Sequence, residues 1–383
     1  MALQLELIEG KRVIASDQST KDILSKGHIG EPMDLLYLQP EEALYLMDVR
    51  NAELKAGNKT LSFNEAAKLF GTKDKMLARY LTFKDWRDRG LIIKRPQFQR
   101  KEGAKTPIKR YPHGALKMES YKLEGVFYPE DLTTIVDLGA DAKEIYKEHW
   151  FGQYGTYKVS ERGTLNKLDV YETVFLIDGG NLKTSNYTRK EIFSYAAKRR
   201  HDFPKLYEVY ADWRSKGYVV KTGFKFGTHF RIYFPGARPD NNEDWSHSKH
   251  VVHVFPRDVK LLISEWARAI RVAHSVRKTF ILAIPGKSRA KKLDIDFILY
   301  HRKSGNIEVP EADAPRFGML SLSEDEYIGG AELSAVINDA KAHKLELVIA
   351  IADRETAVTY YKVRRIELPK SDYEYYEIDW MQP

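Results

Sequence analysis

Between Tyr218 and Lys278 the chain concentrates side chains able to move protons and face negative charge. GYVVKTGFKFGTHFRIYFPG is followed by HSKHVVHVFP and then RVAHSVRK. Tyr233 ends FRIY, His247, His250 and His253 crowd the second segment, and Lys278 ends the third. A histidine titrates near pH 6.5 and exchanges protons at neutral pH, a lysine is a standing cation, and a phenol near pH 10 serves as a base only beside a positive charge. Taken singly, each also has an ordinary structural use. A tyrosine in FRIYF reads as half-buried strand packing, and a lysine closing a helix is favoured by the helix dipole. Period-2 geometry puts His247 and His253 on one strand face and His250 on the other, so at least one of them is structural. Asp294 and Asp296 in LDIDF offer carboxylates to a metal, but the alternation reads more simply as a strand. The chain has no cysteine, which excludes a thiolate nucleophile, disulfides and Cys-ligated zinc.

The elements that must position these groups come in repeats. FKDWRDRGLIIK (83–94) and YADWRSKGYVVK (210–221) share Asp-Trp-Arg, a later Gly and a trailing apolar pair with Lys, at an offset of 127. Upstream, EEALYLMDVRNAELK matches YETVFLIDGGNLK, aligning Glu42 with Glu172, and TKDILSKGHIG ending at Gly30 matches AKEIYKEHWFG ending at Gly152. Three matches in one order describe a duplicated small α/β module. Apolar i, i+3, i+4 spacing predicts helices over 41–48, 63–70 and 75–89 in the first copy and over 169–178, 188–197 and 203–216 in the second. Strands at 91–94 and 218–221 follow, a layout shared by nucleic-acid-binding β-wings and by plain scaffold. A different repeat links THFRIYF (228–234) with DIDFILY (294–300), placing Tyr233 over Tyr300, and KTFILAI (278–284) with LELVIAI (345–351). Helical stretches lie between the members of each copy.

These offsets divide the chain. An N-terminal half-unit (1–100) and a basic linker (101–117) precede a complete unit (118–285, with modules 118–217 and 218–285). A C-terminal half-unit (286–383) follows, and the two halves are expected to pair. The connector from Lys94 to Lys117 carries eight Lys/Arg and one Glu.

The ordered motifs of the complete unit, from Asp-Trp-Arg-Ser-Lys-Gly through FRIY and HSKHVVHV to AHSVRK, resemble the archaeal tRNA-splicing endonuclease family. The arrangement is closest to the three-unit single-chain form that works as a homodimer. The resemblance implies an α+β fold with duplicated N-terminal modules and mixed-sheet nuclease-like C-terminal modules. It implies a cleavage triad of Tyr233, His247 and Lys278, with His250 as the competing acid three residues on. The Tyr-to-His loop, FPGARPDNNEDWS, is a few residues longer than the family's usual one. Such a triad suits a reaction needing neither metal nor cofactor, in which an RNA 2′-OH attacks its own phosphodiester and leaves a 2′,3′-cyclic phosphate and a 5′-hydroxyl.

The same resemblance places Arg271 where the family holds a bulged base, and Ser275 is expected beside it as a further RNA contact. The spacing from Gly to Glu is eight residues longer in the second copy, and the extra residues, GTYKVSERGTLNK, form a basic loop in which Lys158 is expected to touch RNA. The C-terminal copy keeps Tyr300, with Lys344 as its candidate lysine, but has no matching His and reads as non-catalytic. Its loop GNIEVPEADAPR bears Glu308, Glu311 and Asp313, which the resemblance makes a dimerisation loop; SLSEDEY (321–327) competes for that role. The tail YEYYEIDW has edge-strand composition.

Length and composition agree with that frame. The 383 residues suit two or three domains, and a 43% apolar fraction supports real cores. A net charge of +8 suits a polyanionic partner, here a precursor tRNA. No signal peptide or membrane span is predicted, so the expected location is the cytoplasm. The rival reading is a non-catalytic RNA-binding protein with winged-helix-like modules.

Overall fold

The structure is a computed structural model that describes residues 2–383 except 10–11, 97–107, 113, 138, 157–158, 160–161, 240–246, 287–292 and 304. Its first module is a six-stranded sheet in the order Glu31–Pro32, Leu36–Leu38, Arg12–Ala15, Gln4–Ile8, Glu53–Ala56, Lys59–Leu61. The second repeats the first five places of that order over Gln153–Tyr154, Asn166–Asp169, Thr133–Val136, Leu123–Tyr128 and Leu182–Thr184. The duplication read from the sequence is therefore one of three-dimensional structure. The expected helices form at Pro40–Val49, Phe63–Phe70 and Met76–Asp88, and again at Val170–Asp178, Arg189–Arg199 and Phe203–Ser215. Capping boxes start several of them: Ser62 with Glu65, Asp169 with Glu172, Thr188 with Glu191. Each copy also has a helix that the spacing does not announce, Gln18–Lys26 and Ala140–His149.

What the matched residues share is a buried clamp. Glu172 accepts hydrogen bonds from the backbone N–H of Gly152 (2.9 Å) and Asp169 (3.1 Å), while Lys221 Nζ donates to Glu172 (2.6 Å) and to the Gly152 carbonyl (2.8 Å). In the first copy Glu42 accepts from Gly30 (3.0 Å) and Gln39 (2.9 Å), and Lys94 donates to the Gly30 carbonyl (2.7 Å). Gly152 sits at φ 74°, and a Cβ there would lie 2.0 Å from Asn166 Oδ1. Burial pushes the lysine pKa values down in both clamps, and Glu42 up. Asp-Trp-Arg completes the tie. Arg87 donates to Gly27 O (2.7 Å), Arg214 donates to His149 O and to Tyr218 O (2.8 Å), and Trp86 and Trp213 are fully buried.

The strands after the clamps do not make wings. They join a single large sheet that runs Val219–Thr222, Phe230–Tyr233, His250–Val254, Thr279–Ile284, Glu374–Met381, Val358–Glu367, Glu346–Ala352, Phe317–Ser323, Phe297–Leu299, Ile93–Lys94. Read from either end the order is the same, so the sheet has a pseudo-twofold axis between its two central strands. Ile93–Lys94 pairs with Phe297–Leu299 as Val219–Thr222 pairs with Phe230–Tyr233. The ends of the chain thus build the second half of the sheet together. The helices Ile263–Ser275 and Gly330–Ala342 cover one face over a core shared by both halves, containing Trp266, Ile270, Val336, Ile337, Tyr361 and Tyr376. The YEYYEIDW tail corrects its sequence reading. It is a central strand, paired with Thr279–Ile284 and Val358–Glu367 on its two edges, with Tyr375, Tyr376, Glu377 and Ile378 buried in succession.

His250 and His253 are core residues of this sheet. His250 packs against Tyr111 (5.5 Å) and Phe234 (4.9 Å), and His253 against His229 (4.5 Å) and Phe280 (6.0 Å). Burial lowers each of the two to a pKa of about 4.

Two stability predictions follow from these buried groups. Lys221→Met leaves Glu172 buried without its cation and is expected to cost about 3–5 kcal/mol in denaturant unfolding, while Lys221→Met with Glu172→Gln recovers much of that loss. Equal losses for the single and double variants would show that the ion pair is not the source. Each buried histidine is neutral in the fold but takes up a proton below about pH 6.5 once unfolded, so its contribution is whole above that pH and is lost as pH falls toward 4. Unfolding midpoints of His250→Phe should therefore fall less steeply than those of the parent between pH 6.5 and 4, by up to about 3 kcal/mol across the window.

Candidate active site

The register of the large sheet brings three chain segments to one edge. Ile232 pairs with His250, and His250 pairs with Thr279. Tyr233 is one residue past Ile232, Lys278 is one residue before Thr279, and His247 is three before His250, so all three candidate residues lie at the same end of neighbouring strands. Lys278 is nearly buried, and its Nζ donates to the Ser248 carbonyl and to Ser248 Oγ (3.1 Å). That bond fastens the ammonium to the residue adjoining His247. Its ammonium also lies 4.7 Å from the centre of the Phe226 ring. Burial, and then the nearby Arg231 charge, push the Lys278 pKa below the usual lysine value. Two cations, Lys278 and Arg231, thus stand near one another at this edge.

His247 is exposed, unlike His250, and is therefore the histidine of this pair that a substrate can reach. The choice of His247 over His250, open in the bare sequence, is favoured on this physical ground.

Two neighbours of Tyr233 were missed by the sequence reading. Trp150 packs its ring 4.7 Å from the Tyr233 ring, and Arg231 lies over the phenol at 5.8 Å. Arg231 is two residues before Tyr233 on the strand, which puts both on one face and was available as a signal. Trp150 ends the Ala140–His149 helix at φ 51°. Its repeat counterpart is His28, also at positive φ (53°), so the match of AKEIYKEHWFG with TKDILSKGHIG marked the position without indicating its role.

The remaining sequence-predicted residues are spread around this edge. Arg271 and Ser275 are exposed on the Ile263–Ser275 helix, and Ser275 Oγ donates to Val272 O (2.8 Å). Lys158 lies outside the described residues, as does most of the Tyr-to-His loop, 240–246. The basic loop connects two antiparallel strands. Three residues separate Glu31–Pro32 from Leu36–Leu38, and eleven separate Gln153–Tyr154 from Asn166–Asp169.

In the C-terminal copy the same register relates residues by a constant offset of 67. Leu299 pairs with Phe317, and Phe317 with Glu346. Tyr300 thus corresponds to Tyr233, Ala314 to His247 and Leu345 to Lys278. This corrects the expectation for Lys344, whose counterpart is Arg277; both hold left-handed backbone, at φ 62° and 54°. Leu345 is buried in the shared core, so the copy lacks both the histidine and the lysine.

The acidic loop is mostly engaged within its own chain. Glu308 is buried and accepts from His301 N (2.9 Å), and Asp313 accepts from Val309 N (3.0 Å). Glu311 is exposed and pairs with His28 (3.1 Å). In the competing SLSEDEY segment, Glu324 and Asp325 both pair with Arg354. Asp296 is half-buried, lies just before the strand Phe297–Leu299 rather than within it as LDIDF suggests, and accepts from Ser321 N (2.8 Å). Among the described residues no cluster of three or more His, Asp or Glu is placed to hold a metal ion, and no helix is long and apolar enough to cross a membrane.

Comparison with known proteins points the same way. Residues 203–295 match the family model for the tRNA intron endonuclease catalytic C-terminal domain, and residues 5–67 match the N-terminal domain model. The catalytic model overlies the copy that contains Tyr233, His247 and Lys278. A tRNA-splicing endonuclease of Methanopyrus kandleri is 38% identical over 146 residues, covering 37% of this chain and 74% of that protein. Its counterpart in Pyrobaculum aerophilum is 30% identical over 167 residues, covering 41% and 88%. That of Methanosarcina acetivorans is 26% identical over 350 residues, 75% of this chain and 97% of the relative, so the likeness runs along most of both chains. By its motifs, its paired modules and these relatives, the chain belongs to the tRNA-splicing endonuclease family.

Proposed function

We propose that the protein cleaves precursor-tRNA introns at bulge-helix-bulge motifs by metal-independent attack of the RNA 2′-OH. The observation that carries this reading is the Lys278 ammonium, buried, bonded to Ser248 beside His247, and set at the same sheet edge as Tyr233. Tyr233 takes the proton from the 2′-OH as the 2′-oxygen bonds to phosphorus. The bond from phosphorus to the 5′-oxygen breaks, and His247 protonates that oxygen. Lys278 and Arg231 face the charge that builds on the phosphoryl oxygens, and Arg231 also supplies the cationic neighbour that a phenolic base needs. The products are a 2′,3′-cyclic phosphate and a 5′-hydroxyl. Trp150 holds the Tyr233 ring in place, so the second N-terminal module contributes directly to the reacting geometry.

Arg271 and Ser275 are assigned to the bulged RNA, and Lys158 to a further RNA contact. Two chains form a homodimer with one active site each, matching the two bulges of the substrate, and the enzyme acts in the cytoplasm. The 118–285 unit is its catalytic part, and the 1–100 and 286–383 halves form the non-catalytic unit. Of the acidic loop's three carboxylates, Glu311 is the exposed one, Asp313 being half-buried and Glu308 buried.

A cleavage assay on a bulge-helix-bulge RNA in excess EDTA tests the chemistry. Full cleavage with cyclic-phosphate ends is expected, and dependence on a divalent metal would reject the mechanism. A 2′-deoxy cut site should bind but stay intact. His247→Ala is expected to lower the single-turnover rate by about 10²–10⁴-fold, whereas His250→Ala, once folded, should stay within about tenfold; equal losses would overturn the assignment. For the dimer, sedimentation equilibrium should give two chains. Glu311→Lys should shift the population toward monomers and reduce cleavage in step, and a fully active monomer would remove the loop from assembly.

A further inference from the structure

The non-catalytic copy has neither the histidine nor the lysine, and the positions that match them border an open cavity. Ala314 and Leu345, the counterparts of His247 and Lys278, line a cavity of about 600 Å³. Six cations surround it: Lys109, Arg316, Lys341, Lys344, Arg364 and Arg365, against a single lining carboxylate, Glu346. Lys109 pairs with Glu377 (2.7 Å), Arg364 with Glu346 (3.0 Å), and Arg316 lies 3.9 Å from Glu308. Lys341, Lys344 and Arg365 have no carboxylate partner among the described residues.

The offset of 67 gives the origin of this charge. Arg316 stands where the catalytic copy has Lys249, Lys344 where it has Arg277, and Lys341 where it has His274. Two positive rim positions are positive in both copies, and a third has gained a full charge. The acid and the lysine are therefore absent here, while cations able to face a phosphate surround the cavity. A cavity serving only as a scaffold void has no use for unpaired cations, because crowding like charges without counter-ions is unfavourable.

We propose that this degenerate site is an anchoring site for a backbone phosphate of the RNA substrate, which it binds without cleaving. The proposal rests on the reading of the catalytic copy as a site for RNA phosphodiesters. It gives each chain one cutting site and one holding site on opposite halves of the same sheet. Phosphate contacts position a nucleic acid without reading its sequence, so this site adds affinity and orientation and leaves the choice of cut site to the other half.

The test uses the full-length protein carrying Lys341→Ala, Lys344→Ala and Arg365→Ala together, with a precursor tRNA whose cut sites are 2′-deoxy as the probe. Binding is expected to weaken about tenfold or more near physiological salt, with the slope of log affinity against log salt reduced by about 1. The cleavage rate at saturating cleavable RNA should be unchanged. A second variant, Ala314→Trp, fills the cavity without removing charge and should weaken binding in the same way. Unchanged affinity and salt slope in both variants would overturn the proposal. So would a loss of dimer, seen by sedimentation, with RNA affinity per dimer intact, because the cations would then be holding the acidic loop of a second copy. Failure of the parent protein to cleave would reject the proposed function and leave the binding measurement to decide this site on its own.

Discussion

A lysine and a glutamate buried together, Lys221 and Glu172, hold the second N-terminal module to the large sheet, and the position of the candidate active site depends on them. Lys221 leaves the first strand of the catalytic half and reaches Glu172 and the Gly152 carbonyl in the neighbouring module. Burying two charges is unfavourable unless each finds its partner and its remaining hydrogen bonds, and here the backbone of Gly152 and Asp169 supplies them. Alternative dockings of the module would strand one of the ions. The clamp therefore fixes which strand edge the module meets, and with it the Trp150 ring that packs on Tyr233.

A related tie appears in the first copy, where Gly30 donates its N–H to Glu42 and accepts from Lys94, and its recurrence explains how a chain with two incomplete ends forms a balanced fold. The ends supply a module and a sheet half that meet at Ile93–Lys94 and Phe297–Leu299. A short ribbon, Lys260–Leu262 against Tyr327–Gly329, crosses between the halves, and its members again differ by 67. Asp85 and Asp212, the first residues of the two Asp-Trp-Arg motifs, accept hydrogen bonds from Tyr360 (2.7 Å) and Tyr375 (2.6 Å) of the two central strands. Each helix is thereby tied both to its own module and to the middle of the sheet. Asp-Trp-Arg, which could have marked a nucleic-acid-binding wing, is scaffold.

Much of this was legible in the sequence because duplication turns a single chain into its own alignment. The paired Gly, Glu and Lys, the helix spans and the strand ending at Tyr233 all emerge from matching one copy to the other. Other features escaped because they depend on register. The tail 374–381 reads as an edge strand because its own residues do not reveal that two neighbours will pair with it. Lys344 looks like the counterpart of Lys278 until the strand pairing places it one residue earlier, on the left-handed turn, leaving Leu345 as the true equivalent. The Gln18–Lys26 and Ala140–His149 helices were missed because polar residues dilute their apolar spacing, with few positions of each buried. Arg231 and Trp150 act on Tyr233 through space, one along a strand face and one from another module.

The two halves of the sheet show where duplication leaves a protein free to change. Both copies keep the buried elements, since altering the clamp, the tryptophans or the central strands would unfold the unit that carries them. The exposed ends of the strands bear no such constraint. There the catalytic half pairs Lys278 with Ser248 beside an exposed His247, while its twin has Ala314 and a core leucine at the matching positions. If that end of the twin had simply been released from function, its charges would be expected to drift toward pairing or neutrality. Instead, Lys341 adds a cation where the catalytic copy has His274, and the rim stays positive around an open cavity. A rim that is positive where the acid and the lysine are absent fits the proposed phosphate-holding site.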